Sequence, residues 1–469
     1  MGAGTGGSVA ASYLQDHNVN FVWLEIGEDE SHRLSNYSAN NPLSLPTQNW
    51  MPTNLVTNTG RSIPYRIPKT TGGMSAHYKG NQYWTINDTV QSLQIHKNEM
   101  RALDYVRNIT NTQVFCDEFD HRYHTHSRSP LDPAPYFEMT SFPTCMYGKC
   151  RDYAKCKLNS LYAGDIGLSP PSDFEGWFRQ SSFVEYWHRE NKTIPVRTNS
   201  EAKRLEMNGT RAVGVHVKTG SSTSLICARK SIILAGGVMG NSHLLPIDSY
   251  SFFAQPVVIY MDTSIVSKQE SCDQDTISGG TVHKQGSTGF MSTLAICKVN
   301  QKNRVIWATP QAVNPNVKGR IKRFSNGTVK AELNLDDTTI LNQLKLDFSD
   351  TFMHIFNVNV SLSSGFQYAA YHWTGDSENV KHSRLRGFNN IYIGDAMGVT
   401  GITSGWTSFN ARVAGALAAM RSLERYEKPC STLKRYFKQE ECCGKINTKA
   451  YCKELKREYK RNNCCPKSK

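Results

Sequence analysis

Apolar positions along this chain change their period several times, and each change marks a different kind of element. Near the start, Gly2-Ala3-Gly4-Thr5-Gly6-Gly7-Ser8 gives way to a helix-compatible stretch over residues 8–14. An apolar run over 19–25 follows and closes on Glu25. Glycine loop, helix and short apolar strand in that order predict a βαβ unit. Ser-, Asn- and Pro-rich residues up to about Arg66 show no period and predict loop laid over that unit. Strand texture begins at Thr193, with runs over 194–198 and 211–217 and a further hairpin arm. The continuous apolar run over 230–237, ending Ala235-Gly236-Gly237, predicts a buried parallel strand. Residues 248–365 alternate, as in Val257-Val258-Ile259-Tyr260, and predict a mainly antiparallel sheet. A short strand over 390–396 ends in Gly394-Asp395-Ala396. Ser404-Gly405-Trp406-Thr407-Ser408 then caps an alanine-rich helix through Met420.

Composition narrows the class. The 469 residues suffice for two large domains or for one α/β domain with an inserted sheet. No apolar run approaches the length of a membrane span. The net charge of +14 looks like a nucleic-acid signal until it is located. Thirteen Lys and Arg against four Glu fall between Lys428 and Lys469, so the excess belongs to a tail. That tail repeats itself: Cys430-x11-Cys442-Cys443 recurs as Cys452-x11-Cys464-Cys465, two 22-residue units of basic helical texture. So short a module lacks a sufficient core, which makes disulfides the expected staple. Six cysteines leave the pairing open, and metal binding by the tandem pairs is the other reading. The cysteines point to a secreted or otherwise oxidising location, and the charge to an acidic surface such as membrane, glycan or nucleic acid. Seven N-x-S/T sequons, Asn36 to Asn359, are close to what chance produces in this composition.

The first chemistry lies in the glycine loop. Gly2 permits the tight turn, Gly4 admits a pyrophosphate to the backbone, and Gly7 lets helix and strand pack closely. Thr5 opens the helix, whose N-terminus attracts phosphate, and Glu25 stands where it can accept from a ribose 2′-OH. The strand that should precede Gly2 is missing and is expected upstream, with another segment in its place, or impaired dinucleotide binding, as the alternatives. Gly72, Gly73 and Ser75 form a second glycine turn, read equally as a plain loop or as backbone passing beside a flat ligand. His121, His124 and His126 share a polar stretch with no completing ligand and are read as solvated loop. Cys145, Cys150 and Cys156 fit no zinc spacing. No metal site is expected.

Together the segments G-A-G-T-G-G, L-E-I-G, G-G-M-S-A-H, R-A-V-G-V, I-I-L-A-G-G, Y-H-W-T-G and I-G-D-A, with the alanine-rich helix last, resemble the glucose–methanol–choline (GMC) family of FAD-dependent oxidoreductases. The resemblance spans Met1 to about Tyr426. It implies an α/β fold: a Rossmann-like FAD-binding domain with an antiparallel-sheet substrate domain. Residues 1–247 would form the FAD domain, with a partial substrate-side insertion near 85–190. The substrate sheet would fill 248–370, a C-terminal FAD and active-site segment 371–427, and the tail 428–469. FAD is the implied cofactor, held by Gly2, Gly4, Thr5, Gly7, Glu25, Gly72, Gly73, Ser75, Gly394, Asp395, Ala396 and Thr407. A small-molecule alcohol is the implied substrate, and His372 matches the family's active-site base. Two positions depart from the pattern. Trp406 stands where the family has a second His or Asn, leaving Asn410 as the nearest amide, and Tyr78 stands where an asparagine is usual. Alternative readings are therefore a GMC-derived structural or binding protein, or a lyase on the same scaffold.

Overall fold

The computed structural model describes residues 2–30, 36–37, 50–57, 60, 62–76, 90–109, 136–142, 167–168, 177–178, 183, 192–262, 277–284, 290–299, 303–312, 318–324, 329–334, 342, 345–346, 366–401 and 407–427. Tyr78, the histidines of 120–126, Cys145, Cys150, Cys156, Trp406 and the tail from Lys428 lie outside the described residues. Helix α1 spans Thr5–Asp16, α2 Met100–Ile109, α3 Gly237–Ser242 and α4 Thr407–Glu427.

Helix α1 starts three residues earlier than its apolar period predicts, because Gly6 and Gly7 already lie within its buried face. Val9, Ala10, Tyr13 and Leu14 pack with Phe409, Val413, Ala416 and Leu417 of α4, and α2 closes the layer with Ala102, Leu103 and Val106. From Phe409 to Leu423 every residue of α4 is buried, so this helix is covered on all sides and its alanines leave room for its neighbours. Among the described residues, no helix is long and apolar enough to cross a membrane.

The parallel strands come as two pairs. The strand expected over 19–25 shortens to Trp23–Leu24, which pairs in parallel with Val196–Arg197. Ile232–Leu234, as its apolar run predicts, pairs in parallel with Ile391–Ile393. Gly2 touches both pairs. Its N–H donates to the Leu24 carbonyl at 2.7 Å, and a methyl group on its Cα would meet the Ala235 oxygen at 2.3 Å. Strands Ser200–Asn208, Arg211–Thr219 and Ser222–Cys227 form an antiparallel meander beside them.

The second sheet has ten strands. Its hub is Ser249–Asp262, which pairs antiparallel with Lys318–Arg323, Asn303–Ala312 and Phe366–Gly375. The antiparallel character expected over 248–365 therefore holds. One expectation does not. Residues 50–57 and 62–68, placed in a featureless loop by their Pro, Thr and Asn content, form a hairpin that joins this sheet in parallel with Val329–Leu333. Backbone pairing to a distant strand overrides weak local propensity there. Tyr136–Phe142 adds the opposite edge. One apolar core joins the two sheets, from Leu234 and Val238 through Tyr250 and Phe252 to Ile321 and Trp373.

A buried ion pair fastens α4 to the segment before α2. Arg421 donates to Glu99 at 2.9 and 2.7 Å, to Ser383 Oγ at 2.8 Å and to the Gln94 carbonyl at 2.9 Å. Burial pushes the Glu99 carboxyl up, but the guanidinium outweighs it and holds the group below its ordinary value. Removing one partner strands the other charge. Arg421→Met should therefore lower stability by about 3–5 kcal/mol in denaturant titration, and a loss under about 1 kcal/mol would refute the clamp.

Beside this pair, the His382 ring lies tilted at 33° to that of His96 with centroids 4.8 Å apart, and among the described residues its buried Nδ1 has no hydrogen-bond partner. Burial, then the charges of Arg421 and His96, push its pKa down to about 4. The unfolded chain takes this proton near 6.5, so the contribution to stability is complete above that pH. It is lost as pH falls from 6.5 toward 4. His382→Asn, tolerated at this left-handed backbone position, should flatten that part of the stability–pH curve; a parallel curve would exclude His382 as its source.

Candidate functional site

Against the glycine loop lies a cavity of about 680 Å³, within the usual range of small-molecule sites. Gly2, Gly4, Thr5 and Gly6 line it, as do Glu25, Gly73, Met74 and Trp373. Residues 236–241 supply a further wall, and Asp395, Ala396, Thr407 and Ala411 another. The N-cap residue of α1 is Gly4, which has no side chain to occupy the helix's first N–H groups. Thr5 and Thr407, the opening residues of α1 and α4, therefore present two positive helix ends to one space. Gly73 backs onto Gly4 so closely that a methyl group on it would sit 3.0 Å from the Gly4 Cα.

Two buried carboxylates face this cavity. Glu25 accepts from the Ala3 N–H at 2.7 Å and from the Gly27 N–H at 2.9 Å. Burial pushes its carboxyl up, against the pull of these donors. Each oxygen keeps acceptor capacity, which suits a sugar hydroxyl. Asp395 accepts from the Met397 N–H at 2.9 Å, the Gly237 N–H at 2.6 Å and Asn241 Nδ2 at 2.7 Å. Burial nevertheless raises its pKa to about 6. Asn241 also accepts from the Gly236 N–H at 2.8 Å, so a single amide ties the Ala-Gly-Gly turn to Asp395. No sequence reading singled it out. Its signal was an Asn closing the short helix after that turn.

The remaining expected residues stand behind the wall. A methyl group on Gly7 would lie 1.9 Å from the Gly2 oxygen, the close helix–strand packing expected of it. Gly72 donates to the Ala3 carbonyl at 2.6 Å, and Ser75 Oγ donates to the Gly72 carbonyl at 2.6 Å, so this turn is fastened to the glycine loop. Gly394 donates to Leu234 at 2.8 Å. Asn410 is buried in α4 and does not line the cavity. His372 pairs through its backbone with Gln255, next to the cavity-lining Trp373; its side chain lies outside the described residues. Among the described residues, no cluster of three or more metal-ligating side chains occurs.

Fold and site together define an α/β protein with a Rossmann-like dinucleotide-binding unit and an antiparallel-sheet domain. Solved structures share it. Pyridoxine 4-oxidase from Mesorbium loti matches with a TM-score of 0.57 at 11% identity, over 90% of this chain and 97% of its own. A variant of Aspergillus oryzae formate oxidase matches at 0.59 and 12%, over 91% and 97%. An FAD-dependent oxidoreductase from Chaetomium thermophilum matches at 0.58 and 10%, over 90% and 98%. No family model matches the sequence, and no curated protein matches it.

The Asn241 tie is open to test. Asn241→Leu leaves the Gly236 N–H without its acceptor and takes one donor from the Asp395 carboxylate, which should cost about 1–3 kcal/mol. Because the lost donor favours the charged carboxylate, the cost should be larger at pH 8 than at pH 5. Equal losses at both, in denaturant titration, would sever Asn241 from Asp395.

Proposed function

We propose that this protein is an FAD-dependent oxidoreductase of the GMC type that oxidises an alcohol. The observation that carries the reading is convergence on one cavity: a glycine loop, two helix N-termini, and the buried carboxylates Glu25 and Asp395. The oxidoreductase fold of the structural neighbours supports it. FAD fits these residues, since Gly4 and Thr5 suit a pyrophosphate, Glu25 a ribose and Asp395 the ribityl region. When bound, FAD supplies a two-electron acceptor for hydride. His372 takes the hydroxyl proton of the substrate as general base, and Trp373 helps wall the site from water. The Cys-rich tail is a disulfide-stapled module for an acidic surface, in a secreted or otherwise oxidising setting.

Trp406 motivates a second reading. An indole cannot accept a proton where the family pattern carries a His or Asn, so the scaffold would serve as a binding or structural protein, or as a lyase. Purified protein separates these readings. The oxidoreductase should show flavin absorption that bleaches anaerobically with an alcohol. His372→Ala should slow that bleaching by about two to four orders of magnitude while leaving the flavin bound. Bound flavin that no alcohol reduces favours the second reading, and a colourless protein that takes up no added FAD sinks the cofactor assignment.

A further inference from the structure

One corner of the cavity gathers charge that its own contacts leave unbalanced. Lys203 comes from the meander, His243 from just past α3, Arg323 from the end of the Lys318–Arg323 strand, and Lys69 from beside the glycine turn. All four line the cavity together with Glu201. Lys203 pairs with Glu201 at 3.0 Å, while Arg323 donates to the neutral Leu245 carbonyl at 3.0 Å. Among the described residues, neither His243 nor Lys69 has a hydrogen-bond or ion-pair partner. Four fixed cations, Lys69, Lys203, Arg204 and Arg323, line the cavity; Lys203 and Arg204 are paired with Glu201 and Glu206, whereas Lys69 and Arg323 have no ionic partner among the described residues, so positive charge is in excess on this concave wall. His243 registers it: burial first, then Lys203 and Arg323, push its imidazole below the usual histidine range. The corner adjoins Glu25, because the Ser200 N–H donates to the Glu25 carbonyl at 2.8 Å.

We infer that Lys203, His243 and Arg323 form an anion site in this corner, for a phosphate-class dianion. Arg and Lys at a concave wall give charge-assisted donors, and a dianion would also let His243 join as a protonated donor. FAD carries its phosphates in the central pyrophosphate and none on the adenosine ribose. The site thus goes beyond the flavin reading and takes a group that FAD does not carry. That group is either the phosphate ester of a larger nucleotide or a free phosphate ion.

Full-length protein answers this, with or without flavin for the phosphate titration and flavin-free for the nucleotide comparison. The His243 imidazole resonance, assigned with His243→Asn, is followed across pH in inorganic phosphate and in chloride at equal ionic strength. Phosphate should raise the imidazole pKa, and Lys203→Met and Arg323→Met should each weaken phosphate binding about tenfold. Lys203 is exposed enough that its variant keeps the fold whatever happens at Arg323. Adenosine 2′,5′-bisphosphate binding about tenfold tighter than AMP, with the gain lost in Lys203→Met, identifies a nucleotide ester. Equal nucleotide affinities with the phosphate response intact identify a free ion. No response of His243 to phosphate and no preference for the bisphosphate overturn the site. Failure to bind FAD in the same samples counts against the cofactor assignment alone.

Discussion

Three backbones meet in this protein with no space for a side chain between them. A methyl group on Gly6 would lie 2.0 Å from the Gly394 oxygen and 2.7 Å from the Ala411 oxygen. One on Gly415 would lie 2.1 Å from the Gly6 oxygen. The start of α1, the turn before Asp395 and the second and third turns of α4 are thereby locked together at van der Waals contact. Everything that faces the cavity follows from this lock. It brings the two helix ends alongside each other, and it sets Asp395 opposite the glycine loop. Interiors at native density do not yield to an added methyl without moving backbone, so the lock is rigid.

Asp395 carries that rigidity into the second sheet. Its carboxylate organises the 395–398 turn through the Met397 N–H, and the Met397 carbonyl in turn accepts from Tyr250 Oη at 2.9 Å. Burial pushes the Tyr250 phenol well above its ordinary pKa, so it remains a donor at any working pH. Tyr250 lies on the hub strand of the ten-stranded sheet. Gly375 closes the same joint, since a methyl group there would meet the Met397 oxygen at 1.9 Å and Tyr250 Oη at 2.4 Å. The strand bearing His372 and Trp373 is thus registered against the Asp395 turn by backbone contact and one phenol. A base on that strand would inherit its position from the lock rather than from its own loop.

How much of this was legible in the sequence depends on the range of the cause. The glycine loop, α1, the strand ending at Leu234 and α4 have local signatures, so pattern alone located them. The first strand's partner, Val196–Arg197, is short enough that pairing trims the apolar run to Trp23–Leu24. The hairpin over 50–68 was missed because its strands are held by partners near residue 330, while its own Pro, Thr and Asn read as loop. Asn241 and the Glu99–Arg421 pair were missed for the same reason. Asn241 meets Asp395 across 154 positions, and Glu99 meets Arg421 across 322. Polar residues at such separations have no periodicity to betray them. The loop residues Gly72 and Ser75 were identified, but their place is behind the wall, fastening it, rather than on it.

The same division explains why the fold is shared so widely while the sequence is not. A contact between backbones asks only that a few positions lack a Cβ, and it is indifferent to every residue around them. Gly2, Gly6, Gly7, Gly394 and Gly415, with Asp395 to join two of the segments, specify the cavity almost alone. The apolar positions between them need only keep volume and period, which leaves many sequences acceptable. Side-chain chemistry is a separate matter, because nothing in the lock depends on what stands at positions 372, 406 or 243. Those positions are free to change while the cavity persists.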